Sequence, residues 1–286
     1  MAHHFELPFE SHFLTISGIR VHYLDEGKKE DPPVFFIHGV PTWSYTFRNI
    51  IPEVARAGYR VIALDLPGFG LSEKSIPREK FTMQWLVSIA GEFMETVEKR
   101  KAVLYAHDWG VFIGLMLASR PSSPFSALVL SNGFLPTAGM TVPGLFRIWR
   151  VFARYSPLLS PGWIVDLASN RRLSRMEKAG YNRPFGSQAE KRAIRWMPGL
   201  VPLGRKHRNY PDLIAVWEKL LTCTTPTLTL FSSGDPITRG LEKIIQERIP
   251  GTKNQEHHIF PGGHFLQEDV PEEIARELIR FLKHHT

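Results

Sequence analysis

Three side chains in this chain have the types and the order for a nucleophile, the base that serves it and the acid that orients the base. The first is Asp108, in Ala106-His107-Asp108-Trp109-Gly110, which ends an apolar run and opens a helical stretch. Small residues at Ala106 and Gly110 leave room for a sharp strand-to-helix turn, the geometry of a nucleophile elbow, whose usual pattern is G-x-S-x-G. A carboxylate at the apex is already ionised and needs no base before it attacks. It is a poor acyl-transfer nucleophile for amides and suits displacement at a saturated carbon, which gives an ester. The helix N-terminus that follows favours its charge. An aspartate in this place also has the look of an ordinary helix cap, so the reading needs partners. His264 supplies one, in the glycine-rich run Phe260-Pro-Gly-Gly-His264-Phe265, where an imidazole is placed as general base. Asp235 supplies the other, in Ser232-Ser-Gly-Asp235-Pro after an apolar run, where a carboxylate holds the imidazole and stabilises its protonated form. Along the chain the order is nucleophile, acid, histidine, each after an apolar run.

A fourth segment, His38-Gly39-Val40-Pro41, follows another apolar run. The backbone N–H groups of Val40 and Trp109 then form an oxyanion hole. His38 reads as a turn-stabilising residue, and Asp65, in Asp65-Leu-Pro-Gly-Phe-Gly70, as a loop former beside the site.

These residues need a scaffold that ends several strands at one edge. Short apolar runs at Val34–His38, Tyr59–Leu64, Ala102–Ala106, Ala127–Leu130 and Thr227–Phe231 read as strands buried on both faces of a parallel sheet. Helical patterns lie between them, over Thr46–Ala57, Thr82–Val97, Val111–Ser119 and Arg239–Arg248, and a last helix covers Pro271–Leu282. Phe13–Ser17 and Arg20–Leu24 read as a hairpin turning near Gly18. A hairpin followed by alternating strands and helices predicts an α/β sheet with a central insertion.

Composition excludes several classes. The 286 residues are 43% hydrophobic and 22% charged, near globular averages, which rules out a mainly disordered chain. One cysteine, Cys223, excludes an internal disulfide framework. No apolar run reaches the ~20 residues of a membrane span, and Met1–Glu10 does not read as a secretory signal, so the expected compartment is the cytoplasm. The formal charge of +7 is unevenly spread: Pro136–Tyr210 carries fourteen Lys and Arg against three acids. Basic segments suit nucleic acid or anionic membranes, but no nucleic-acid motif accompanies this one. A solvated helical surface, or a positive field drawing anions to a nearby site, explains it as well. No His, Cys or Glu spacing suggests a closed metal site, so neither metal nor cofactor is expected.

The run His38-Gly-Val-Pro-Thr-Trp-Ser-Tyr45, the elbow Ala106–Gly110 and Gly263-His-Phe-Leu-Gln-Glu-Asp269 together resemble the haloalkane dehalogenases, and the likeness spans nearly the whole chain. Tyr181–Phe185 through Met197–Val201 are also similar in layout. The resemblance implies an α/β-hydrolase fold: a mostly parallel eight-stranded sheet flanked by helices, with a helical cap inserted after the sixth strand. The core would be residues 1–135 and 215–286, and the cap residues 136–214. Asp108 would be the nucleophile, with Asp235 and His264 completing the triad, and Trp109 would hold the leaving halide with its indole N–H. Asn132, uncharged, occupies the place after the sixth strand where other subfamilies carry the acid, which favours the subfamily whose acid follows the seventh. Members of that subfamily use a second tryptophan from the cap; its spacing to Leu173 points to Trp149, with Trp163 as the alternative. One residue departs from the pattern. Position 40, often Glu or Asn in the family, is Val, whose side chain cannot donate to a halide.

The implied reaction converts a small apolar halogenated substrate to an alcohol, a halide ion and a proton. Candidate cavity residues are Phe134, Leu135, Phe146, Phe152, Leu200 and Val201. Neither nucleic acid nor membrane is an expected partner, and a monomer or weak homo-oligomer is expected. The rival reaction is epoxide hydrolysis on the same Asp108, Asp235 and His264, for which Tyr155, Tyr181 and Tyr210 are the available acidic donors. A catalytically idle hydrolase fold sits poorly with an intact nucleophile, acid and histidine.

Overall fold

The computed structural model describes residues 7–136 and 142–286. Residues 1–6 of the Met1–Glu10 stretch and residues 137–141 of the insertion expected from 136 lie outside the described residues. Eight strands form one sheet in the order β1-β2-β4-β3-β5-β6-β7-β8: β1 His12–Ile16, β2 Ile19–Glu26, β3 Pro33–Ile37, β4 Arg60–Leu64, β5 Ala102–His107, β6 Phe125–Ser131, β7 Thr227–Ser232 and β8 His258–Phe260. β1 and β2 make the expected hairpin, and β2 runs antiparallel to β4; every other pairing is parallel.

The all-apolar runs become central strands because they are buried on both faces. Phe35, Ile37, Ile62, Leu64, Leu104 and Ala106 face one core, while Val34, Phe36, Val61, Ala63, Val103 and Tyr105 face the other. The alternation follows the two-residue period of a strand. Helices cover both faces: α1 Ile51–Arg56, α2 Met83–Val97, α3 Trp109–Ala118, then α4 Gly144–Tyr155, α5 Pro161–Ala168, α6 Arg175–Asn182, α7 Arg192–Trp196 and α8 Tyr210–Leu220 between β6 and β7, and α9 Glu242–Arg248, α10 Leu266–Asp269 and α11 Pro271–His285 after β7. The residues of α3 are buried all along its length, which is why its sequence shows no polar face. Among the described residues no helix is long and apolar enough to cross a membrane.

Three expectations change at their edges. The stretch 46–57 is not one helix: a 3₁₀ turn at Ser44–Phe47 is followed by α1, which restarts with Pro52 in its first turn, where a missing N–H costs nothing. The helix expected from Arg239 begins at Glu242, because Gly240 has φ 86° and breaks it. β8, only three residues long and partly exposed, has too little periodicity to be read in advance. The insertion follows β6, as the resemblance implies; α8, at its far end, packs on α3 of the core.

Candidate active site

The parallel strands deliver their C-terminal ends to one edge, where ligands of open α/β sheets bind. Asp108 directly follows β5 there with φ 51° and ψ −113°, a strained backbone at the strand-to-helix turn. Neighbouring glycines permit it. A Cβ on Gly110 would strike the Ile37 carbonyl, and one on Gly39 would strike the Asp108 carboxylate. Asp108 stands at the head of α3 yet makes no side-chain capping bond. Its Oδ2 accepts the Val40 N–H at 2.9 Å, and the Trp109 N–H also points to this carboxylate. The two donors expected as an oxyanion hole therefore already face the nucleophile. Burial pushes the Asp108 carboxyl up from its ordinary value, against the pull of His264 and of these two N–H groups.

His264 follows β8. Its Nε2 lies 3.9 Å from Asp108 Oδ1, and its Nδ1 donates to Asp235 Oδ2 at 2.8 Å. Burial works to lower the imidazole, but Asp235, its hydrogen bond and then Asp108 outweigh it and hold His264 at about 9. Asp235, after β7, is fully buried. Burial opposes its charge as well, yet His264, the Thr238 hydroxyl and the Ile237 N–H hold it at about 2. The structure thus brings the predicted nucleophile, base and acid together.

The backbone that carries His264 is fixed from two sides. Its N–H donates to the Ala168 carbonyl at the end of α5, 2.7 Å away. Asn132, at the end of β6, donates to the carbonyls of Gly263 and His264 at 3.1 and 2.9 Å. His107 Nε2 also meets the His264 carbonyl, at 2.9 Å, and burial pulls that imidazole down to about 3.

Above the carboxylate lies a cavity of about 320 Å³. Val40, Trp109, Phe265, Pro236 and Ile237 line it from the core, and Phe146, Trp149, Phe152, Trp163, Ile164 and Leu167 from the insertion. Trp109 and both cap tryptophans therefore face the space over Asp108, and none of their indole N–H groups has a partner among the described residues. Trp149 is half-buried and packs near Phe152, whereas Trp163 is 50% exposed. Of the predicted apolar lining, Phe146 and Phe152 are in place. Phe134, Leu135, Leu200 and Val201 are not: Leu135, Leu200 and Val201 are buried in the core, Phe134 stacks edge-on against Phe146, and the Val201 carbonyl is spent on Arg150. Of α5 only Trp163 was anticipated; sequence periodicity could not reveal Ile164 and Leu167, because which face of α5 meets the cavity depends on how the insertion docks.

Asp65 forms its loop as expected but does not line the cavity. It is fully buried and accepts from the Ser44 and Leu71 N–H groups at 2.7 and 2.9 Å and from His22 Nδ1 at 2.7 Å. His38 is a turn residue, its Nε2 accepting the Leu66 N–H at 3.0 Å. The tyrosines needed by the epoxide reading are elsewhere. Tyr181 is fully buried with its hydroxyl on Glu268, Tyr155 is 70% exposed, and no tyrosine is among the described residues that line the cavity. The Glu268 network was not foreseen from the sequence, although Glu268 lies within the run Gly263–Asp269. Glu268, on α10, binds Arg48 of the core and Arg171 and Tyr181 of the insertion.

Comparisons with known proteins bear on the family and the fold. The chain matches the alpha/beta hydrolase fold family over residues 32–271. It is similar to a haloalkane dehalogenase of Mycobacterium marinum, 36% identical over 95% of this chain and 93% of the relative. A haloalkane dehalogenase of Psychrobacter cryohalolentis is 38% identical over 96% of this chain and 92% of its own length. The solved haloalkane dehalogenase of Paraglaciecola agarilytica shares the fold with a TM-score of 0.85 at 24% identity, over 95% of this chain and 92% of that one.

Proposed function

Because the chain belongs to the haloalkane dehalogenase family of α/β hydrolases, we propose that it cleaves carbon–halogen bonds through an alkyl ester on Asp108. The observation that carries the residue assignment is the line Asp108–His264–Asp235, with His264 Nε2 3.9 Å from the carboxylate and Nδ1 2.8 Å from the buried acid.

In the first step an Asp108 oxygen attacks the carbon bearing the halogen, opposite the leaving group. A C–O bond forms, the carbon–halogen bond breaks, and the negative charge passes to the halide. Burial disfavours charge on Asp108, so this transfer relieves a cost of the resting site. The indole N–H of Trp109 and that of Trp149 receive the halide. Hydrogen bonds to charged groups contribute ~1.5–3 kcal/mol each, and only donors aimed at the developing halide accelerate the step. The Val40 side chain offers no such donor, which leaves the cap tryptophan as the partner of Trp109.

In the second step His264 Nε2 takes a proton from water, and the hydroxide attacks the ester carbonyl carbon. The N–H groups of Val40 and Trp109 hold the resulting oxyanion, and the intermediate collapses to the alcohol and the Asp108 carboxylate. Esterification prepares this step electrostatically. Asp108 is among the charges holding His264 at about 9, and the ester has none, so the imidazole gives up its proton more readily just when a neutral base is required. Asp235 then stabilises the imidazolium. The cavity of about 320 Å³, walled mainly by apolar side chains, fits small uncharged haloalkanes. Residues 136–214 act as the cap that supplies most of that wall.

The test is bromide release from a short bromoalkane, with diol formation from a small epoxide measured beside it. Bromide that disappears in Asp108→Ala supports the assignment. Diol without bromide would transfer the reaction to epoxides, against the lack of a tyrosine among the cavity residues.

A further inference from the structure

The basic insertion holds a second concave site, separate from the reaction cavity. Arg78 of the core and Arg150, Arg154 and Arg195 of the insertion converge on a cavity of about 320 Å³ with Trp196 and Tyr155 in its wall. It shares no lining residue with the cavity over Asp108. No carboxylate lines it, and none of the four guanidinium groups makes an ion pair among the described residues. Their hydrogen bonds go to neutral acceptors. Arg78 donates to the Phe81 carbonyl at 3.2 Å, Arg150 to the Val201 carbonyl at 3.1 Å, and Arg195 to the carbonyls of Ala153 and Arg154 at 3.2 and 3.3 Å. Arg78 also stacks over Trp196, its guanidinium carbon 5.2 Å from a ring centre.

Surface arginines of like charge ordinarily splay into water. Arg78, Arg150 and Arg195 are anchored side by side by backbone carbonyls, Arg195 also by Gln188, while Arg154 lies exposed over the Tyr155 ring, so the repulsion among the anchored three is built in. Burial and the neighbouring cations Arg208 and Arg154 lower the Arg78 guanidinium, and burial and Arg154 lower Arg150. A bound anion would remove that repulsion. The planar guanidinium fork matches the paired oxygens of phosphoryl groups and carboxylates. Four forks around one cavity exceed what a single carboxylate can engage, and a spherical halide offers no paired oxygens.

We propose that the cavity bordered by Arg78, Arg150, Arg154 and Arg195 is a binding site for a phosphoryl group, carried by a free phosphate compound or by a lipid headgroup. Inorganic diphosphate is titrated by calorimetry into the whole protein at low ionic strength. The expected result is saturable binding at one site per chain and a rise in Tm. Arg154→Gln is the first variant, since the Arg154 side chain holds no backbone group; it should weaken binding about tenfold, the loss of one charge-assisted hydrogen bond. The pair Arg154→Gln/Arg195→Gln should abolish binding, while bromide release from a short bromoalkane stays at the wild-type rate. Arg276→Gln, on α11, should leave binding unchanged. A second arm uses phosphatidylglycerol vesicles against phosphatidylcholine vesicles. Vesicle binding lost in the same variants, with diphosphate silent, assigns the phosphoryl group to a lipid; diphosphate binding alone assigns it to a free compound. The proposal is overturned if neither probe binds, if binding survives the double variant, or if sodium chloride of equal ionic strength gives the same rise in Tm.

Discussion

At the scale of single residues, the chemistry depends on where charge is allowed to sit. Asp108 is an anion that its surroundings tolerate poorly, His264 is a cation that Asp235 and Asp108 sustain, and a halide must be received a few ångströms away. Two cap tryptophans border that space, and their burial separates them. Trp149 is half-buried, and Trp163 is 50% exposed, where water competes for any halide. Trp149→Phe should therefore lower kcat/KM for a bromoalkane roughly 10- to 150-fold, the equivalent of ~1.5–3 kcal/mol for one hydrogen bond to a charged group. Trp163→Phe should change it by less than about threefold, as expected for a solvent-exposed donor. Equal losses in the two variants, or a larger loss at Trp163, would reverse the assignment. The triad was legible in the sequence because an elbow needs small neighbours and because each partner followed an apolar run. The choice between the tryptophans was not, since it turns on burial within a docked insertion.

At the scale of elements, the same strand ends that carry catalytic groups also decide which of them are catalytic. β6 is followed at once by Asn132, whose amide nitrogen donates to the Gly263 and His264 carbonyls and to the Ser232 hydroxyl. A carboxylate in that place would lose these donations and face the carbonyl oxygens instead. The variant Asp235→Asn/Asn132→Asp should therefore regain no more activity than Asp235→Asn alone, and its Tm should fall below that of either parent. Recovery of turnover in the double variant would show that the end of β6 can serve as an acid position here. The central strands were readable as continuous apolar runs, and α3 as their sequel. The ends of α1 and α9 were set by Pro52 and Gly240, local signals present in the chain but outweighed in a reading of hydrophobic period. β8 offered no such signal, since its three residues are held mainly by pairing with β7.

At the scale of the whole molecule, the insertion must be held over the strand ends for a cavity to exist. Glu268 joins the two parts. It lies fully buried on α10, bound to Arg48 of the core at 2.9 Å and to Arg171 and Tyr181 of the insertion, with Glu177 3.2 Å from Arg48 as well. Removing one partner of such a network leaves the Arg48 charge buried without its main counter-charge, which costs about 3–5 kcal/mol. Glu268→Ala should lower the urea midpoint accordingly and raise KM for a bromoalkane more than it lowers kcat, because the insertion supplies much of the substrate wall. An unchanged midpoint would remove the network from the account. This contact joins residues 220 positions apart. Nothing in the spacing of Arg48 and Glu268 announces it, whereas the fold around it follows from local apolar patterns.

The covalent intermediate is the central claim, and His264→Phe tests it most directly. Without the base, the first displacement proceeds and the ester is not hydrolysed. Incubation with 1-bromobutane should add the mass of one butyl group per chain, and peptide mapping should locate it on the segment containing Asp108, with one bromide released per protein. An unmodified protein after a stoichiometric release of bromide, or a butyl group on any other residue, would contradict the account.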